Sequence, residues 1–185
     1  MYKTALLICV LLSLPVVASA QVPGGNIFFG YSYTHADIGS TDRANMNGWN
    51  GSLEGKVLPW VGIVADGSGH YGKQDFFNIC PNPGPCSPVS VDGTVYSVQF
   101  GPRISFSIGK LRPFAHALFG VAHVKLESAD FSPSDTSFSS AIGGGLDYSL
   151  IPLFSWRVQA DNLQTRFFDG TQNNLRLSTG VVFHF

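Results

Sequence analysis

Charge is scarce in this chain. Eleven lysines and arginines stand against twelve aspartates and glutamates, a formal net charge of −1, and nucleic-acid binding calls for a basic excess that is absent. Beyond the first twenty residues no apolar run reaches the length of a spanning helix, and no stretch carries helical periodicity. Cysteine is limited to Cys9, Cys80 and Cys86. The five histidines, His35, His70, His116, His123 and His184, are scattered without ligand spacing, so neither a metal nor a cofactor is expected. Gly24-Gly25 and Gly143-Gly144-Gly145 lack the Lys-Ser pair and the following helix of a phosphate loop. No short repeat and no linker divides the sequence.

Glycine and phenylalanine are plentiful, at 21 and 15 residues. Glycine breaks helices and aromatic rings favour strands, which together predict an all-β chain. The N-terminus reads as a secretion signal over residues 1–20: Lys3 gives the positive start, Leu6 to Leu14 with Val16 and Val17 the apolar stretch, and Ala18-Ser19-Ala20 the cleavage site before Gln21. Bulky Ile8 ahead of Cys9 disfavours a lipoprotein. Residues 21–185 then form one domain.

Eight segments of period two follow. They are Ile27 to His35, about Asn47 to Val57, Trp60 to about His70, Thr94 to Phe106, Arg112 to Lys125, Phe138 to Leu150, Phe154 to Phe167, and a last strand ending at Phe185. Pro102 suggests a bulge or a strand end, because proline has no N–H to give to a ladder. The segment Tyr71 to Gly93, rich in Pro, Gly, Asn and Ser, is expected to be an elaborated exposed loop. Connections after strands two, four and six are two or three residues long, while the others are longer and polar. That alternation predicts an up-and-down antiparallel meander.

One face of these strands is apolar. The other collects Glu54, Lys56, Asp66, Arg103, Asp147, Arg157, Asp161 and Arg176, four acids and four bases. A soluble barrel such as a lipocalin needs its apolar face inside. Here the stripe concentrates aromatics toward strand ends, as a membrane girdle does, and its Gly and Ala would pack a soluble core poorly. The expectation is an eight-stranded transmembrane β-barrel whose narrow lumen is plugged by ion pairs. Arg103, Arg157 and Arg176 are expected to be bridged by Glu54, Asp66, Asp147 and Asp161, with Lys56 reaching the rim.

Cys80 and Cys86 flank the turn-like Pro81-Asn82-Pro83-Gly84-Pro85 in an exported chain, and a disulfide tying off that loop is expected. Two thiols make only half a metal site, and the spacing exceeds that of a redox C-x-x-C motif. Phe76 and Phe77 beside the loop either contact a ligand, pack the loop or sit at the lipid interface. His35, Asp37 and Ser40 offer a base, an acid and a hydroxyl near one rim, but no nucleophile motif supports them, and an enzyme is not expected.

Several segments carry a family resemblance: Phe28-Phe29-Gly30-Tyr31-Ser32-Tyr33, Phe114 to Ala122, Ala141-Ile142-Gly143-Gly144-Gly145-Leu146-Asp147, Arg157-Val158-Gln159-Ala160-Asp161, and Arg176 to Phe185. The chain resembles the small eight-stranded outer-membrane barrels of Gram-negative bacteria, including the OmpA transmembrane domain and the opacity-type proteins. The resemblance implies location in the cell outer membrane, contact with outer-membrane lipids and lipopolysaccharide, and biogenesis through periplasmic chaperones and the barrel-assembly machinery. It also implies a terminal assembly signal at Val181, Phe183 and Phe185. The peptidoglycan-binding domain of some members is not expected. The function expected is a structural or surface-binding one, with an unidentified surface ligand. The alternative is a low-conductance porin for small solutes, and binding at the cysteine loop would mark an adhesin.

Overall fold

The computed structural model describes residues 24–37, 43–79, 87–127, 134–167 and 170–185. It contains β1 (Gly25–Asp37), β2 (Arg43–Leu58), β3 (Val61–Ile79), β4 (Ser87–Ser105), β5 (Leu111–Glu127), β6 (Ser134–Ile151), β7 (Phe154–Phe167) and β8 (Gly170–His184). Each strand pairs antiparallel with its sequence neighbours, and β1 pairs with β8, from Asn26 opposite His184 to His35 opposite Leu175, closing the barrel. Closure leaves no free edge, which hydrocarbon would not tolerate. No described helix is long and apolar enough to cross a membrane, which says nothing of crossing by strands.

Side-chain alternation sorts the two faces. Phe29, Val98, Phe100 and Ile142 point outward, each about two-thirds exposed, while their neighbours Phe28, Gln99 and Ala141 are buried in the lumen. The outward surface is a continuous apolar band made of Ile, Leu, Val and aromatic side chains. In water such a band would exceed what a monomeric soluble protein exposes; in lipid it is the favourable arrangement. The all-β, eight-stranded up-and-down barrel expected from the period-two pattern is the fold observed.

Short connections gather at one end: Pro59–Trp60, residues 106–110 and Pro152–Leu153. The middle one is longer than the turn expected from Ile108-Gly109-Lys110. It closes on a bridge between Ile108 and Leu111, with Gly109 at φ +62°, a backbone region open to glycine. The connections at the other end, residues 38–42, 80–86, 128–133 and 168–169, lie outside the described residues, as do residues 1–23 and with them the expected signal peptide.

Three local expectations are corrected. Tyr71 to Gly93 is mostly ladder, not loop: β3 runs on to Ile79 and β4 starts at Ser87, paired from Tyr71–Thr94 out to Ile79–Ser87 with one irregularity past Phe76. Backbone hydrogen bonds hold such a stem, and they tolerate the Gly, Ser and Asn that made it read as loop. Pro102 neither ends β4 nor bulges it. Pairing with β5 lapses at Gly101 and Pro102 and resumes at Arg103–His116 in unchanged register, while Pro102 still sits opposite Ile63 on the other side. The missing N–H thus removes hydrogen bonding on one side only. Finally, the polar segment Phe168 to Asn173 reads as a short last loop, yet β8 begins within it, at Gly170.

Candidate functional site

The lumen is filled by side chains that bond one another. Near the short-turn end Glu54 is the hub. Its Oε2 accepts from Asn26 Nδ2 at 2.8 Å and from Arg103 Nη1 at 3.2 Å, and its Oε1 faces Arg112 Nη2 at 3.4 Å. Beside it Arg157 donates to both oxygens of Asp147, Nε at 2.6 Å and Nη2 at 2.8 Å, a two-pronged contact that the planar guanidinium favours. Phe114 lies between two of these cations, 4.4 Å from Arg103 Cζ and 4.6 Å from Arg157 Cζ, and Phe28 covers Arg157 from 5.0 Å. The rings offer electron-rich faces where water is excluded.

Deeper in the barrel Arg176 spans two carboxylates. Nη1 reaches Asp66 Oδ1 at 2.9 Å and Nε reaches Asp161 Oδ2 at 2.9 Å. Gln159 Nε2 donates to Asp161 Oδ2 at 3.0 Å and to Asn50 Oδ1 at 3.2 Å, and Asn50 Nδ2 donates to Asp66 Oδ2 at 2.9 Å, which closes a ring of contacts. His116 joins the two groups. Its Nδ1 lies 3.0 Å from Arg103 Nη2 and its Nε2 lies 2.7 Å from Asp161 Oδ1. A proton on Nε2 serves both contacts, since a guanidinium can only donate. Glu54, Asp66, Asp161, Arg103, Arg157 and Arg176 are all at most 2% exposed. Left unpaired, any one of them would cost several kcal/mol, about 3–5 in comparable buried pairs.

Neutral groups occupy the remaining space. Val64, Leu118, Ala141 and Leu163 form an apolar cluster. Ser32 bonds His70 and Ser178, each at 2.9 Å; Ser68 bonds Ser97 at 2.8 Å; Gln99 donates to Ser139 at 2.6 Å. Gly143 faces inward where an added Cβ would stand 2.1 Å from Asp161 Oδ1. From sequence the glycine run reads as allowing strand curvature or making room for the arginines opposite; here it makes room for Asp161 and, at Gly145, for Gln159.

All eight charged residues singled out in the sequence lie on the inward face, but Lys56 stands apart from the ion pairs. Its Nζ donates to the turn carbonyl of Pro59 at 2.9 Å and to Ser105 Oγ at 3.2 Å. Two strand positions from the turn, its stem delivers the ammonium to the rim. The fourth lumen base is Arg112, which the sequence reading placed only as a strand start. It shares Ser105 Oγ at 2.9 Å. His116 and Phe114 were not singled out either; their parity put them inside, and only the register across strands reveals their partners.

The terminal residues Val181, Phe183 and Phe185 face outward. Phe185 exchanges backbone hydrogen bonds with Gly25 at 2.8 and 3.1 Å, and Phe183 packs on Phe154 with ring centroids 5.3 Å apart. Of His35, Asp37 and Ser40, the structure describes only the side chain of His35, bonded to Asn45. Cys80 and Cys86, with the expected disulfide, lie outside the described residues, and the side chains of Phe76 and Phe77 are not described. Among the described residues no group of three or more His, Cys, Asp and Glu is placed to hold a metal ion.

The sequence profile of the outer membrane protein beta-barrel domain matches residues 4–185. No curated protein is matched. Solved structures with the same fold include Ail, the attachment invasion locus protein of Yersinia pestis, at 21% identity and TM-score 0.56, covering 86% of this chain and 98% of that one. Neisserial surface protein A is similar at 13% identity and TM-score 0.69, over 87% and 97% of the two chains. The N-terminal β-barrel domain of Pseudomonas aeruginosa OprF is similar at 19% identity and TM-score 0.51, over 88% and 96%. A further structure of Ail, at TM-score 0.55, is a complex with the heparin analogue sucrose octasulfate.

Proposed function

We propose that this protein, which belongs to the outer membrane protein β-barrel family and resides in the outer membrane of Gram-negative bacteria, is a closed, non-enzymatic barrel with a structural and surface-binding role. The observation that carries this reading is the unbroken run of contacts across the lumen, from Arg112 through Glu54, Arg103, His116, Asp161 and Arg176 to Asp66. Four guanidiniums and four carboxylates, counting the Arg157–Asp147 pair, offset one another. A solute path would have to break contacts between desolvated charges. The lumen is therefore a plug, and activity belongs to the surfaces outside it.

Surface binding draws support from the asymmetry of the ends, plain turns on one side and the long β3–β4 stem on the other. Longer outer loops are where such barrels carry specificity. Ail, with the same fold, has been seen with a sulfated sugar analogue, and a surface polysaccharide is the ligand class to screen first. The outward Val181, Phe183 and Phe185 serve as the assembly signal, read by the barrel-assembly machinery after passage with periplasmic chaperones.

The test is single-channel recording of the monomeric protein in planar bilayers. The plug predicts no steady conductance above the lipid background. Small, discrete openings would favour the alternative, a low-conductance porin in which the ion pairs rearrange. A large permanent conductance would overturn the plug.

A further inference from the structure

The charges of the lumen come close to balance in total but not in place. Deep in the barrel Asp66 and Asp161 share a single guanidinium, that of Arg176. Toward the short-turn end the carboxylates are Glu54 and Asp147, and the bases around them are Arg103, Arg112, Arg157 and Lys56. The count leaves two bases in excess there. The short connections at that end, Pro59–Trp60, residues 106–110 and Pro152–Leu153, hold one further charge, the base Lys110, and no acid.

The excess sits at the mouth. Register places Arg112 opposite Asp147, yet Arg157 takes both oxygens of that carboxylate. Arg112 is left with a long contact to Glu54 Oε1 at 3.4 Å and with Ser105 Oγ at 2.9 Å, both through Nη2. Lys56 meets neutral oxygens only, the Pro59 carbonyl at 2.9 Å and the same Ser105 Oγ at 3.2 Å. Two cations, from β2 and β5, thus converge on one hydroxyl and keep N–H groups to give. The last inward side chains toward this end include Ser149, Ser155 and His184, and none is an acid. Lys56, Arg112, Ser149 and His184 are partly exposed, whereas Glu54, Arg103 and Arg157 beneath them are buried. The mouth is therefore a dead end that receives the terminal group of a ligand and passes nothing on. Because short turns mark the periplasmic side in such barrels, it opens to the periplasm.

Two uncompensated cations with hydroxyls beside them, in a concave surface, match a group of charge near −2 with several acceptor oxygens. A phosphoryl group carries about −1.5 to −2 at neutral pH and three such oxygens. Arginine binds it by its fork and lysine as a point charge. A carboxylate would leave half the excess unmatched. The phosphodiester of a membrane phospholipid has the lower charge and lies on the other side of the strand wall.

We propose that Lys56 and Arg112, with Ser105 between them, form a dead-end site at the periplasmic mouth for the phosphoryl group of a soluble phosphate or phosphomonoester. The proposal rests on the closed-lumen reading above and adds a ligand at the end of the barrel opposite the long loops.

The test titrates the protein, folded in a nonionic maltoside detergent, with inorganic phosphate by isothermal calorimetry, then with methyl phosphate and with acetate. Saturable binding of one phosphate per barrel is expected. Lys56→Gln should weaken it about tenfold, the worth of one charge-assisted hydrogen bond, and Lys56→Arg should recover it. Arg112→Gln should weaken it by a similar factor. Arg166→Gln, which removes an exposed base of β7 at the opposite end, should leave it unchanged. Methyl phosphate held as tightly as phosphate assigns the site to the end of a phosphomonoester, and phosphate held alone assigns it to the free ion. Absence of saturable binding to the folded wild type overturns the site. So do equal binding by wild type and Lys56→Gln, an equal loss in Arg166→Gln, and acetate held as tightly as phosphate. Boiling-sensitive electrophoretic mobility reports the folding of every variant. Single-channel recording without phosphate reads the plug, so failure of the closed-lumen reading is seen apart from failure of the site.

Discussion

At the scale of single residues, the molecule depends on a few buried cations. Arg176 holds Asp66 and Asp161 together from the eighth strand. Arg176→Ala strands both carboxylates and should lower unfolding stability in detergent by about 3–5 kcal/mol, read by urea titration of the boiling-sensitive band. Arg176→Lys should recover only part of this, because one ammonium lacks the fork that reaches both partners. Phe114, between Arg103 and Arg157, makes a second test. Phe114→Ala should cost about 3–5 kcal/mol in the same titration, through lost packing and lost cation–π contact. These charges were legible as inward residues from parity alone. Their partnerships were not, because Arg176 and Asp66 lie 110 positions apart in sequence and Arg157 and Asn26 lie 131 apart. Strand pairing and stagger, which no local pattern encodes, bring such residues together.

At the scale of the element, alternation along each strand decided the inside and outside faces, and the strand cores followed from it. The ends did not. β3 and β4 extend well into a segment whose composition resembles loop, since a hairpin stem outside the membrane needs backbone hydrogen bonds and not an apolar stripe. Glycines show how closely neighbouring strands fit. A Cβ at Gly143 would lie 2.1 Å from Asp161 Oδ1 and 2.4 Å from the carbonyl oxygen of Ala160, whereas one at Gly55 would meet nothing within 4 Å. Gly143→Ala is therefore expected to cost at least about 1–3 kcal/mol through overpacking. Gly55→Ala should be neutral within about 0.5 kcal/mol. Comparing the two variants' urea midpoints checks the pair; equal midpoints would mean the lumen around Asp161 is looser than described.

At the scale of the whole molecule, the account turns on which way the sheet faces. A soluble barrel and a membrane barrel can share strand order and register and differ only in which stripe is buried. Among the described residues of this chain, four carboxylates, four arginines and Lys56 turn inward, while most of the large aliphatic and aromatic side chains turn outward. Its three tryptophans, Trp49, Trp60 and Trp156, all lie on the outward face, 38%, 49% and 51% exposed. They make a built-in probe of orientation. The decisive measurement is tryptophan fluorescence of the folded protein in bilayers of brominated phospholipid, compared with quenching by aqueous iodide. The account predicts strong quenching by bromine on the acyl chains and weak quenching by iodide. Emission indifferent to the brominated lipid would mean that the apolar face is turned inward, and would contradict it.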